Sequence, residues 1–109
     1  MAAQRMDIDD IYWNIDANNT TLEHVAYLSE NEKYKNTTIL SLGNDTGIYI
    51  DDEQNQNIDR IVPLFIQIFT NLPELKAVQF CGYNSAITED DIYQAAIILN
   101  RKIIAVPIL

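Results

Sequence analysis

The sequence predicts an α/β chain in which four parallel strands alternate with three helices, and all three helices lie on one side of the ribbon. Three observations carry this. Short segments rich in β-branched, aromatic and aliphatic residues alternate with segments of helical periodicity, giving the order β-α-β-α-β-α-β, and such alternation implies parallel strands joined by helical crossovers. Each strand also contains a triplet that reads large, smaller or more polar, large: Ile11-Tyr12-Trp13, Leu40-Ser41-Leu42, Val78-Gln79-Phe80 and Ile104-Ala105-Val106. A sheet covered by helices on both faces has strands that are apolar throughout, so the alternation favours a solenoid over an open doubly wound sheet. Finally, the triplets recur at 29, 38 and 26 residues, as structural repeats do.

The strands are expected at Asp10–Ile15, Thr37–Leu42, Lys76–Cys81 and Lys102–Ile108, each rich in residues that favour strands. The first helix is expected within Asn19–Lys33. Thr20 or Thr21 offers an N-cap oxygen, Glu23 stands three residues after Thr20 in capping-box spacing, and Leu22, Val25, Ala26 and Leu28 make the apolar stripe. The second lies within Asn57–Leu75, with Ile58, Ile61, Val62, Phe65, Ile66 and Phe69 at helical spacing. Pro63 fits only in its first turn, and Asn71 and Pro73 mark its exit. The third covers Thr88–Lys102, with Thr88 as N-cap. Glu89, Asp90 and Asp91 complement the positive end of its dipole, and Arg101 and Lys102 the negative end.

At 109 residues the chain reads as one domain, with an insertion at about residues 45–57, "DTGIYIDDEQNQN", accounting for the long interval. Apolar residues make up 48%, a globular proportion. The net charge of −9 argues against binding nucleic acid or an anionic membrane. It favours a basic protein partner. One cysteine, Cys81, excludes an internal disulfide and fits a reducing compartment. No hydrophobic signal core stands near the start and no apolar run reaches the ~20 residues that span a bilayer. The expected location is cytoplasmic, or the cytosol of a host cell into which the protein is secreted.

Residues for chemistry are sparse. His24, the only histidine, falls inside the first helix, and Ser29 stands on a different helical face, so no Ser-His-Asp set forms. Cys81 ends a strand without an evident basic neighbour to activate it. The runs Asp51-Asp52-Glu53 and Glu89-Asp90-Asp91 read as a solvated loop and a helix start. In "DDEQNQNID", Gln56 replaces the glycine that a calcium loop requires and Val62 stands where its bidentate glutamate belongs. The expectation is no catalysis, no cofactor and no metal.

The segment "LPELKAVQFCGYNSAITEDDIYQAAIILNRKIIAV" resembles a leucine-rich repeat of the ribonuclease-inhibitor type. Leu75, Val78 and Phe80 stand at the strand positions of the motif, Ile87 opens the descent, and Ala95, Ala96 and Leu99 follow on the helix. The resemblance covers about three and a half units, from Ile8 to Leu109. The consensus asparagine position holds Asp16, Asp45 and Tyr83, with Asn84 one place late. What it implies is a short right-handed α/β solenoid that binds protein.

On that architecture, the solvent side of the sheet carries Tyr12, Asn14, Ser41, Gln79, Cys81 and Ala105. Loops add Asp16, Asp45, Tyr83 and Asn84, and the insertion adds an acidic arm of Tyr49, Asp51, Asp52 and Glu53. Tyrosine and polar side chains on a rigid sheet suit protein recognition. In the last strand Ile104, Val106 and Ile108 are expected to face the core. Ile103, Ala105, Pro107 and Leu109 would then form an edge available to a twin subunit, as a homodimer, with Pro107 removing one ladder donor. The expected function is a non-enzymatic, acidic protein-binding module that inhibits or adapts a partner such as a basic enzyme. Its asparagine- and isoleucine-rich composition looks like that of an A/T-rich bacterial genome, and the resemblance to leucine-rich repeats implies a bacterial effector or effector regulator. The alternative is a phospho-switch antagonist resembling the STAS-type domains, with Ser85 or Thr88 as the modified residue.

Overall fold

A computed structural model describes residues 9–15, 21–42, 60–81 and 87–108, with the side chains of Cys81 and Ile108 excepted. Within these, four strands, three α-helices and one 3₁₀ turn follow in the expected order. They are β1 (Tyr12–Ile15), α1 (Leu22–Leu28), the 3₁₀ turn (Glu32–Tyr34), β2 (Ile39–Leu42), α2 (Ile61–Asn71), β3 (Ala77–Cys81), α3 (Glu89–Ile98) and β4 (Ile104–Ile108). The strands form one sheet in the order β1-β2-β3-β4, every neighbouring pair parallel.

A parallel sheet whose strands keep sequence order never reverses direction, so right-handed crossovers bring every helix to the same face. Burial agrees. Trp13, Ile15, Leu40, Leu42, Val78, Phe80 and Ala105 join Val25 of α1, Phe65 and Phe69 of α2, and Ile92 and Ala96 of α3 in one core cluster. Tyr12, Asn14 and Ile104, from the intervening positions, are exposed.

The helix ends follow from local chemistry. Thr21 caps α1, its Oγ1 accepting from the His24 N–H at 3.1 Å. This corrects the Thr20–Glu23 capping box: with Thr21 as cap, the third helical residue is His24. Glu23 is freed for an ion pair with Arg60 at 3.0 Å, across the starts of α1 and α2. Pro63 occupies the third position of α2, where no N–H is needed by the helix. Thr88 and Asp91 form a reciprocal capping box on α3. Asn100, at φ 56°, ends α3 in the left-handed region. The Asn100 N–H reaches the Ile97 carbonyl at 2.9 Å and the Arg101 N–H reaches that of Ala96 at 2.8 Å, the two bonds of a Schellman turn.

Arg101 does not serve the end of its own helix. Its guanidinium donates to the carbonyls of Phe69, Leu72 (3.0 Å), Pro73 (3.2 Å) and Leu75 (3.1 Å) at the exit of α2. The left-handed Asn100 turns the chain back and aims Arg101 at the neighbouring helix terminus, where the Phe69 and Leu72 carbonyls otherwise accept, among the described residues, only from the Leu72 and Leu75 N–H groups. Burial pushes the guanidinium pKa below its ordinary value, and the Glu74 carboxylate offsets part of that. On the opposite flank, Trp13 stacks on Tyr34 at 3.9 Å between ring centroids and 12° between planes. Lys33 Nζ lies 5.1 Å from the Tyr34 centroid.

The last strand departs from expectation by one residue. Ile104 pairs with Ala77 and Ala105 with Val78, so Ile103 and Ala105 face the core at 3% and 6% exposure while Ile104 faces out at 59%. Val106 is half-buried on the outward side. A one-residue slip exchanges the faces of a whole strand. Nothing in the aliphatic run opposes it, and the phase is set upstream, where Arg101 is held by α2. The first strand shifts by two residues, so Trp13 rather than Ile11 lies opposite Leu40. A shift of two preserves the faces. The equivalent residues Trp13, Leu40, Val78 and Ala105 then stand 27, 38 and 27 apart, more regular than the spacing read from the sequence.

Candidate interaction surface

Register builds two outward rows across the sheet. One is apolar: Tyr12, Ile39, Ala77 and Ile104. The other is mostly polar: Asn14, Ser41, Gln79 and Val106. Tyr12, Asn14, Ser41 and Gln79, expected on this side, are all here, and the last three lie in direct cross-strand register. Asp16, Asp45, Tyr49, Asp51, Asp52, Glu53, Tyr83, Asn84 and Leu109 lie outside the described residues, as do Ser85 and the Cys81 side chain. Of the proposed oligomer edge, Ile103 and Ala105 are core residues, which corrects their assignment. Pro107 is exposed.

The open edge of β4 carries little for another strand to bind. The Ile104 N–H bonds the Lys76 carbonyl at 3.0 Å, so by alternation the groups of Ala105 and Pro107 point to the edge. The Ala105 N–H donates to the Tyr93 hydroxyl at 3.4 Å, and proline has no N–H. Tyr93 thus supplies a lid for the single donor that Pro107 does not abolish.

The apolar row forms the floor of a shallow cavity of about 610 Å³. Beyond β4 it turns toward α3, where Tyr93, Ala96 and Ile97 continue the lining. Ile97 is the most exposed large apolar residue among those described, at 74%. Asp10, Lys76, Arg101 and Lys102 line the same cavity, all next to the N-terminal ends of strands. The Asp10 carboxylate, nearly buried, accepts from Lys76 Nζ at 2.7 Å and from Thr38 Oγ1 at 3.3 Å. Thr38 Oγ1 in turn accepts from the Ile11 N–H at 2.8 Å. These bonds tie the entries of β1, β2 and β3 together and hold Lys76 against the cavity wall.

Sequence reading found Tyr12 but missed Ile39, Tyr93, Ile97 and Ile104. A signal for Tyr93 and Ile97 was present. They stand four apart on a helix whose buried stripe is Ile92, Ala95 and Ala96, so they extend its apolar surface beyond what one core needs. For Ile104 there was none.

Potential reactive groups are dispersed. His24 is exposed on α1, with its ring centroid 6.3 Å from that of Tyr27. The buried Ser29 hydroxyl donates to the Ala26 carbonyl at 2.6 Å and accepts from Asn71 Nδ2 at 3.0 Å, tying α1 to α2. Among the described residues, no group of three His, Cys, Asp or Glu side chains could hold a metal ion. No described helix is long and apolar enough to cross a membrane. Comparison of the chain with family models, curated proteins and solved structures finds no match in any of the three.

Proposed function

We propose that this chain is a small, non-enzymatic protein-binding module with a short solenoid similar to leucine-rich repeats, and that it inhibits or adapts a partner by occupying its surface with the outward face of the sheet. The observation that supports this best is the pair of outward rows. A four-stranded sheet presents Tyr12, Asn14, Ser41, Gln79 and Ile104 on the face opposite the core to which all three helices contribute. A rigid sheet pre-organises such side chains and so lowers the ordering cost of association. The net charge of −9 favours a basic partner at long range. The phospho-switch reading has less support. All described strands are parallel, and the Thr88 hydroxyl is committed to a capping box beside three acidic residues, which would repel a phosphate.

The test is capture of partners from lysate by the immobilised wild-type protein and by the double variant Asn14→Arg, Gln79→Arg, both checked for folding by circular dichroism. The module reading expects specific partners on the wild type and their loss on the variant. Equal recovery on both would remove the outward face from consideration.

A further inference from the structure

Resting on that reading, we infer that the cavity along the apolar row receives a partner segment of apolar side chains flanked by carboxylates, an acidic contact segment despite the acidity of this chain. The charge local to the cavity differs in sign from that of the whole chain. The cavity sits by the N-terminal strand ends and holds three of the chain's seven Lys and Arg residues. Its one carboxylate, Asp10, is already bonded to Lys76. Arg101 is fixed by four carbonyls. Lys102 is exposed and has no ion pair among the described residues, so it offers its ammonium to an incoming carboxylate.

Shape sets the rest of the ligand. Four neighbouring strands place Tyr12, Ile39, Ala77 and Ile104 across roughly 14 Å at ~4.8 Å per strand, about the reach of four extended residues. A volume of about 610 Å³ lies within the range of sites that enclose a ligand of several apolar groups. Ile39, in the middle of the outward row, is only 8% exposed, while Tyr12 and Ile104 at its two ends are exposed. Tyr93, Ile97 and Lys102 line the same cavity. An apolar side chain set over Ile104 therefore brings a neighbouring carboxylate toward Lys102. A lysine at the same place would meet Lys102, Arg101 and Lys76.

Fluorescence anisotropy with three labelled octapeptides tests this on the full chain: alternating Leu and Asp, alternating Leu and Lys, and alternating Ser and Asp. The Leu-Asp peptide should bind saturably and at least about tenfold more tightly than either control. Lys102→Glu and Ile104→Asp, both at exposed positions, should each weaken it by about fivefold or more with unchanged circular dichroism, and added salt should weaken it further. Equal or tighter binding of the Leu-Lys peptide would overturn the inference while leaving the binding-module reading intact. So would the absence of saturable binding at millimolar peptide, or indifference to both substitutions. Self-association of the protein in light scattering that the Leu-Asp peptide reverses would assign the cavity to a second copy and likewise overturn it. Failure of the module reading is seen separately, in equal lysate capture by the Asn14→Arg, Gln79→Arg variant.

Discussion

The phase of β4 can be tested by two truncations at adjacent residues, Ile103→Ala and Ile104→Ala. Ile103 is 3% exposed and belongs to the core cluster, so removing its three outer carbons leaves a cavity behind the sheet. Substitutions of this kind cost about 2–5 kcal/mol. Ile104 is 59% exposed. Two-fifths of the roughly 1.5–3 kcal/mol for fully burying such a side chain gives about 1 kcal/mol. With a urea slope of about 2 kcal/mol/M, the midpoint should fall by about 1.5 M for Ile103→Ala and about 0.5 M for Ile104→Ala. The single tryptophan, Trp13, is buried against Tyr34, and its fluorescence reports loss of the sheet. If Ile104→Ala lowers the midpoint as much as Ile103→Ala, the strand is paired one residue away from the register described, and the cavity floor loses its last member.

Three further outcomes are expected. Arg101→Met keeps the apolar stem but strands the carbonyls at the exit of α2; at about 1.5–3 kcal/mol for a bond to a charged donor, with some of the carbonyls reaching water instead, the loss in urea melts should be about 3 kcal/mol, and Arg101→Lys, which cannot fork across four acceptors, should recover less than half of it. Thr88→Ala removes a capping box and should cost about 0.5–2 kcal/mol in the same melts, whereas Thr88→Ser, which keeps the hydroxyl that bonds the Asp91 N–H and carboxylate, should restore most of it; equal losses would mean that the hydroxyl is not the cap. Restoring an edge donor with Pro107→Ala while removing the lid with Tyr93→Phe should make the protein self-associate in light scattering at concentrations where the wild type does not, and an unchanged particle size would show that the edge needs no such protection.

Much of the architecture was legible because it is written locally. The switch between period 2 and helical period marks the elements, Thr88 followed by three acids marks a helix start, and Pro63 tolerates only the first turn of α2. The outward positions Tyr12, Asn14, Ser41 and Gln79 were legible for the same reason: in β1, β2 and β3 the residues between core anchors are less apolar, and that difference sets the phase. The Thr20–Glu23 capping box was misread because two adjacent threonines offer the same oxygen, and only an ion pair with a distant helix shows that Glu23 is engaged elsewhere.

Composition and periodicity by themselves determined the order of elements, the parallel sheet and the acidic character of the chain. Packing alone decided how the last strand is set. "KIIAVPI" is aliphatic on both faces, so it has no preference between them, and the choice falls to a contact made between segments 26 to 32 residues apart: Arg101 bonded to the carbonyls that end α2. That bond cluster, invisible in a linear reading, anchors the chain two residues before Ile103, which faces inward, with Ile104 facing outward. The cavity follows from it, because its floor requires one residue from each of four strands to arrive in the same row.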